Sequence, residues 1–228
     1  MARKASRDPV PLLYAHRGCT LRRRENTRAA FDDALLCGFR AFELDLIRLA
    51  DNTVVVFHDF SLVRQFGKLS RLARITLPQF RKIHKELLTF DEFVESYSAK
   101  DITVNFEIKD DPKTLALMAQ GMRKFKRPVV SSFRKRVVDA AIEAGFTGGY
   151  LFDNMRAFAS QRAHLKGKRL HISRKMLPPK KPHTALHGYE LHVYTVNDPS
   201  EAFRLASIPN VKGMFTDTPA FLPFFPQR

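Results

Sequence analysis

Short runs of Val, Ile, Leu and Phe alternate along most of this chain with stretches whose apolar residues recur every three or four positions. Runs with no polar face have the pattern of buried parallel strands, and the three-to-four spacing is that of a helix packed on a sheet. The runs fall at 12–16, 40–46, 102–109, 128–133, 148–152, 169–173, 191–196 and 213–216. Repeated strand–helix units predict an α/β fold with a mainly parallel sheet, and about eight strands is the number that closes a TIM (β/α)8-type barrel. The first helix is expected to be capped by Asn26 and to end at Gly38. Asp111-Pro112 opens a second that runs to about Lys124, residues 133–145 give a third, and Asp198-Pro199 opens a last one through Ala206.

Two stretches depart from this rhythm. Residues 60–100 read as loop with two short helices, LPQFRKI and FDEFVESY. AFELDLIRLADNTVVVFHD holds two strand-like runs around Asp51-Asn52, a turn signal. It predicts a short β-hairpin extension after the second strand, with Asp45 roughly opposite His58 and the return run outside the barrel. No internal repeat or linker is visible, so residues 1–228 read as a single barrel domain.

Composition narrows the setting. The chain is 44% hydrophobic and 27% charged, and no apolar run approaches the ~20 residues of a membrane span. The basic start runs through VPLLYA directly into the first strand, which fits an unexported chain. Cys19 and Cys37 form no C-x-x-C pair; two free thiols suit a reducing, cytoplasmic compartment. A formal charge of +16 favours solubility and attracts anions, either a small phosphodiester substrate or a transient contact with an anionic membrane. The basic residues are not interleaved with an aromatic platform, so nucleic acid is not an expected partner. Oligomeric state is left open.

The chemistry lies at strand ends. His16 ends the first run, Glu43 and Asp45 lie in the second, His58 ends the hairpin's return, and Glu107 lies in the fourth strand-like stretch two residues before Lys109. Glu43 and Asp45 are two apart and share a face. Burying both charges in so apolar a run calls for a cation. Three carboxylates suit a hard divalent ion, Mg²⁺ or Ca²⁺, and without a Cys/His cluster zinc is not expected. Two imidazoles can divide acid and base work, and Arg17 and Lys109 can donate to phosphate oxygens. Together these groups suit metal-assisted attack on a phosphate ester.

The order HRG-x6-ENT-x3-F, E-x-D, D-x5-FHD, FEIK, SSF, YTVND and FTDTP, from about Tyr14 to Pro219, resembles the glycerophosphodiester phosphodiesterases. The resemblance implies a TIM barrel with a small insertion after the E-x-D strand. It implies His16 and His58 as acid and base, Glu43, Asp45 and Glu107 as metal ligands, and Arg17 and Lys109 as phosphate contacts. It also implies products of sn-glycerol 3-phosphate and an alcohol, reached through a cyclic phosphate or by direct water attack. Glu25 of ENT stays unassigned. Tyr194 stands where the family usually has Trp, as a flat substrate-side wall with an added hydroxyl. Phe60, directly after His58-Asp59, replaces a usually polar residue with an apolar lip. A lysophospholipid phosphodiesterase is the nearest alternative, and an inactive barrel that binds anionic lipid or phosphate is another. Among the remaining histidines, His171 ends a strand and is a candidate pocket residue. His183 and His187, four apart in a Pro-broken stretch, make a poor metal pair.

Overall fold

The computed structural model describes residues 10–179 and 184–226. Nine strands form one sheet: β1 (Leu12–His16), β2 (Ala41–Arg48), β3 (Val54–Val56), β4 (Thr103–Ile108), β5 (Arg127–Ser132), β6 (Thr147–Phe152), β7 (Arg169–Ser173), β8 (Glu190–Tyr194) and β9 (Val211–Thr216). All but β3 run parallel, in the order β1-β9-β8-β7-β6-β5-β4-β2, and β1 pairs with β2 to close the ring. This is the expected TIM barrel, with each of the eight expected runs in it.

Helices α1 (Arg28–Leu36), α5 (Pro112–Met122), α6 (Lys135–Glu143) and α8 (Pro199–Ala206) lie where the spacing placed them. Asp111 and Asp198 cap α5 and α8, each with a proline in the first turn. The cap of α1 differs from expectation: Thr27, not Asn26, accepts from the Ala30 amide. Asn26 sits at φ 60° and turns its side chain elsewhere. Helix α7 (Met155–Gln161) is not among the expected helices.

The hairpin forms as expected. Asn52, at φ 66°, supplies the left-handed turn residue, and β3 pairs antiparallel to β2 with Leu46 opposite Val56. The register differs by one: Phe57 N–H donates to the Asp45 carbonyl at 2.9 Å, so His58 lies one residue beyond Asp45's partner. From the hairpin the chain passes through α2 (Val63–Phe66), α3 (Leu77–Ile83) and α4 (Phe90–Tyr97) before β4.

Three apolar clusters hold these pieces. The largest lies between sheet and helices, where Phe42, Phe106, Val130, Ile172 and Val193 meet Phe31, Phe93 and Val138. Each such fully buried side chain contributes about 1.5–3 kcal/mol. A second, with Val55, Phe57, Leu72 and Phe80, supports the hairpin and α3. The third is small: Tyr14, Ala41 and Phe215. Side chains alternate along a strand, so the residues between the helix-facing Val104, Phe106, Val130, Ile172 and Val193 turn into the barrel. There stand Asn105, Ser131, His171 and His192, all buried. The barrel's inner lining is therefore largely polar where branched aliphatics usually fill it.

Candidate active site

Strand alternation delivers Glu43, Asp45 and Glu107 to the inner face near the carboxyl ends of β2 and β4, and His16 ends β1. One cavity of about 300 Å³ is lined by His16, Arg17, Glu43, His58, Glu107, Lys109 and Tyr194. Seven of the eight site residues expected from sequence thus face one space. The eighth, Asp45, is fully buried just behind it.

One ligand oxygen from each of Glu43, Asp45 and Glu107 can be chosen so that all lie within 4.8 Å of one another. Two cations flank them. Lys109 Nζ donates to Asp45 Oδ1 at 3.2 Å and to Glu107 Oε1 at 2.5 Å, and Arg17 Nε lies 3.0 Å from Asp45 Oδ2. Burial opposes the charge on Asp45, but Lys109 and Arg17 more than offset it and hold the carboxyl below the usual range. Burial likewise opposes the Lys109 ammonium, and Asp45 and Glu107 outweigh it, so its pKa is raised. Glu43 goes the other way: burial, then the charges of Asp45 and Glu107, push it well above an ordinary carboxyl. Its Oε2 accepts from the Arg17 amide at 3.0 Å, while Oε1 is buried without a partner among the described residues. A three-carboxylate set with one buried, unsatisfied oxygen fits a hard divalent cation.

Each histidine is held by a carboxylate. His16 Nδ1 lies 2.8 Å from Asp217 Oδ1, and His58 Nδ1 lies 2.6 Å from Asp59 Oδ1. With Nδ1–H donating to a carboxylate, Nε2 is the nitrogen left for chemistry. The carboxylates are themselves fixed: Asn197 Nδ2 donates to Asp217 Oδ2 at 2.7 Å, and Arg64 Nε donates to Asp59 Oδ2 at 2.6 Å.

Four residues of this arrangement had no place in the site from sequence. Glu25 accepts from Arg17 Nη1 at 3.0 Å and from Gln65 Nε2 at 2.9 Å; it positions Arg17 and is not in the acidic cluster. Asn26 binds Asp45, and Asp59 and Asp217 orient the histidines. All four lie inside the motif strings ENT, FHD and FTDTP, and that was the signal available.

Tyr194 flanks the cavity and donates to Asp153 Oδ1 at 2.8 Å; burial, with Asp153 beside it, raises its pKa. Phe60 is 50% exposed. With Phe133 and Arg134 it lines a groove of about 510 Å³ that also reaches His58, Glu107 and Lys109. His171 does line the main cavity. His183 lies outside the described residues, so the pair with His187 is not described. Cys19 and Cys37 are free thiols, the first buried and the second exposed. Among the described residues no helix is long and apolar enough to cross a membrane.

Comparison with known proteins places this barrel among phosphodiesterases. A model of the glycerophosphoryl diester phosphodiesterase family matches residues 16–178, and the chain belongs to that family. It is 31% identical over 146 residues to the uncharacterized protein MG293 of Mycoplasma genitalium, covering 59% of this chain and 58% of that one. To a glycerophosphodiester phosphodiesterase of Caldanaerobacter subterraneus subsp. tengcongensis it is 29% identical over 140 residues, 54% and 58% of the two chains. It therefore spans less than two thirds of the length of these two relatives. The fold matches that of the Oleispira antarctica phosphodiesterase OLEI02445, solved in complex with the product sn-glycerol-3-phosphate. The TM-score is 0.80 at 22% identity, over 94% of this chain and 96% of the other.

Proposed function

We propose that this protein hydrolyses glycerophosphodiesters to sn-glycerol 3-phosphate and an alcohol. The observation that carries the reading is the convergence of two carboxylate-paired histidines on the cavity that also holds the three-carboxylate cluster.

Glu43, Asp45 and Glu107 would hold the divalent cation, Mg²⁺ or Ca²⁺. When bound, it supplies charge neutralisation for the phosphoryl oxygens and a more acidic bound hydroxyl. Arg17 and Lys109 bind the phosphate at the mouth, Arg17 as a fork held in place by Glu25 and Lys109 as a point charge. One histidine takes the proton of the attacking hydroxyl at Nε2. The other gives a proton to the departing alkoxide, and Asp217 and Asp59 keep both rings in the useful tautomer. Each proton transfer is worth roughly 10²–10⁴-fold in rate. Tyr194 walls the side of the cavity.

The test is turnover of glycerophosphocholine, glycerophosphoethanolamine and glycerophosphoinositol with and without added Mg²⁺ or Ca²⁺. No turnover of any of them with either ion rejects the reading. One observation favours a second reading, lysophospholipid hydrolysis: the groove that reaches His58 has Phe60, Ile108 and Phe133 in its wall, apolar surface on which an acyl chain could lie. Preferential turnover of lysophosphatidylcholine would select it.

A further inference from the structure

The same cavity reaches deeper than the mouth. Its lining includes Asn105, two residues before Glu107 on the inner face of β4, together with Leu151, His171 and Phe215. Both ring nitrogens of His171 are buried without a hydrogen-bond partner among the described residues, as is Asn105 Oδ1. Both side chains are about 1% exposed. Leaving such groups unpaired is costly, so a site that carries them is built for something that supplies the bonds.

The surroundings fix these groups in place. Asn105 Nδ2 donates to Ser131 Oγ at 2.9 Å, which orients the free carbonyl oxygen. The His171 ring packs against Phe215 and His192, at centroid distances of 5.1 Å each. Gly149 makes the room: a Cβ there would stand 2.6 Å from His171 Nε2. Gly149 has no left-handed backbone to justify it. Its lack of a side chain serves the imidazole. Burial, then the neighbouring His192 and Arg169, hold His171 well below the usual histidine range, so the ring is neutral. A neutral imidazole offers one donor and one acceptor, and the Asn105 oxygen adds an acceptor. A phosphate needs donors only, a cation needs acceptors only, and a quaternary ammonium needs neither. A hydroxyl both donates and accepts.

We propose that His171, with Asn105, is the specificity-determining floor of the cavity and hydrogen-bonds the terminal hydroxyl of the substrate's glycerol unit. This rests on the glycerophosphodiester reading above. The phosphate is held at the mouth by Arg17 and Lys109, so the hydroxyl farthest from it is the one that reaches the floor. An ester on that oxygen would remove its proton and add bulk against Leu151 and Phe215. The floor therefore favours free glycerophosphodiesters over 1-acyl lysophospholipids.

The experiment compares glycerophosphocholine with 2-hydroxypropyl phosphocholine, which keeps the hydroxyl next to the ester carbon and lacks the terminal one. The wild type should prefer the former by roughly 10–100-fold in kcat/KM, the consequence of leaving a buried polar floor unpaired. In His171→Phe the preference should collapse towards one through loss on glycerophosphocholine alone, and His171→Gln, which keeps a donor and an acceptor, should restore part of it. Thermal melting establishes that the variants fold. Should His171→Phe not fold, Gly149→Ala, which displaces the ring, serves in its place with the same expected loss of preference. Equal turnover of both substrates by the wild type, or a folded variant that keeps the preference, overturns the proposal and leaves the functional reading standing. A wild type that turns over no glycerophosphodiester at all fails that reading, and the proposal with it.

Discussion

Asn26 grips Asp45 twice: its amide nitrogen donates to Asp45 Oδ2 at 2.9 Å, and its carbonyl oxygen accepts from the Asp45 main-chain N–H at 3.3 Å. The loop after β1 is thereby tied to the carboxylate at the centre of the acidic cluster. Residues that orient metal ligands typically govern metal affinity by 10–100-fold. Asn26→Gly keeps the left-handed backbone at φ 60° and removes only the side chain. It should weaken Mg²⁺ or Ca²⁺ binding in that range, read by calorimetric titration, with little change in the metal-free melting temperature. Asn26→Ala adds backbone strain and should lower both. Unchanged affinity in Asn26→Gly would refute a positioning role.

The two histidines should be separable from the cation. His16→Ala and Asp217→Asn are each expected to lower kcat by roughly 10²–10⁴-fold while cation affinity stays within a few-fold of wild type. The Asp59→Asn variant should do the same through His58. Full turnover in His16→Ala would sink the acid–base assignment.

Chelation should abolish turnover, and Mg²⁺ or Ca²⁺ should restore it. The same ion should stabilise the fold by about 2.7 kcal/mol at a hundredfold excess over its Kd. A melting curve indifferent to the ion, together with EDTA-resistant activity, would remove the cation from the mechanism.

Acid should loosen the hairpin region before the barrel. His84 caps the end of α3 inside a cage of Phe57, Phe66 and Phe80, and its Nδ1 is buried without a partner among the described residues. Burial, helped by Arg24, pushes its pKa down to about 4 from 6.5. The unfolded chain then takes up the proton first. The stability His84 contributes is complete above pH 6.5 and is lost as the pH falls from there to about 4. His84→Phe should flatten the melting temperature across that window. An equally steep acid decline in the variant would assign the sensitivity elsewhere.

The barrel was readable in the chain because its strands are short Val, Ile, Leu and Phe runs spaced by helical stretches, two of which, α5 and α8, open on Asp-Pro pairs. Asp51-Asn52 announced the hairpin because the turn needs a left-handed residue. Three things escaped for physical reasons. Asn26 and Thr27 are both good helix caps, and only the positive φ at Asn26 shows which of them turns away. Asp59 and Asp217 are contiguous with their motifs but act on a ring nitrogen, and Asp217 is 201 residues from its histidine. The polar barrel interior is present in LHIS as alternation, Leu170 and Ile172 against His171 and Ser173, and it escaped because only the closed ring shows which of the two faces points inward.

The ring of eight strands shuts without β3. Residues 49–89, which carry His58, Asp59 and Phe60, rest largely on the second cluster, with Val54, Val56 and Leu88 reaching into the main core. One of the two carboxylate-paired histidines and the outer lip therefore come as a cassette added to a closed ring. Exchanging that cassette would reshape the lip beside His58 and leave the three-carboxylate cluster on β2 and β4 where it is.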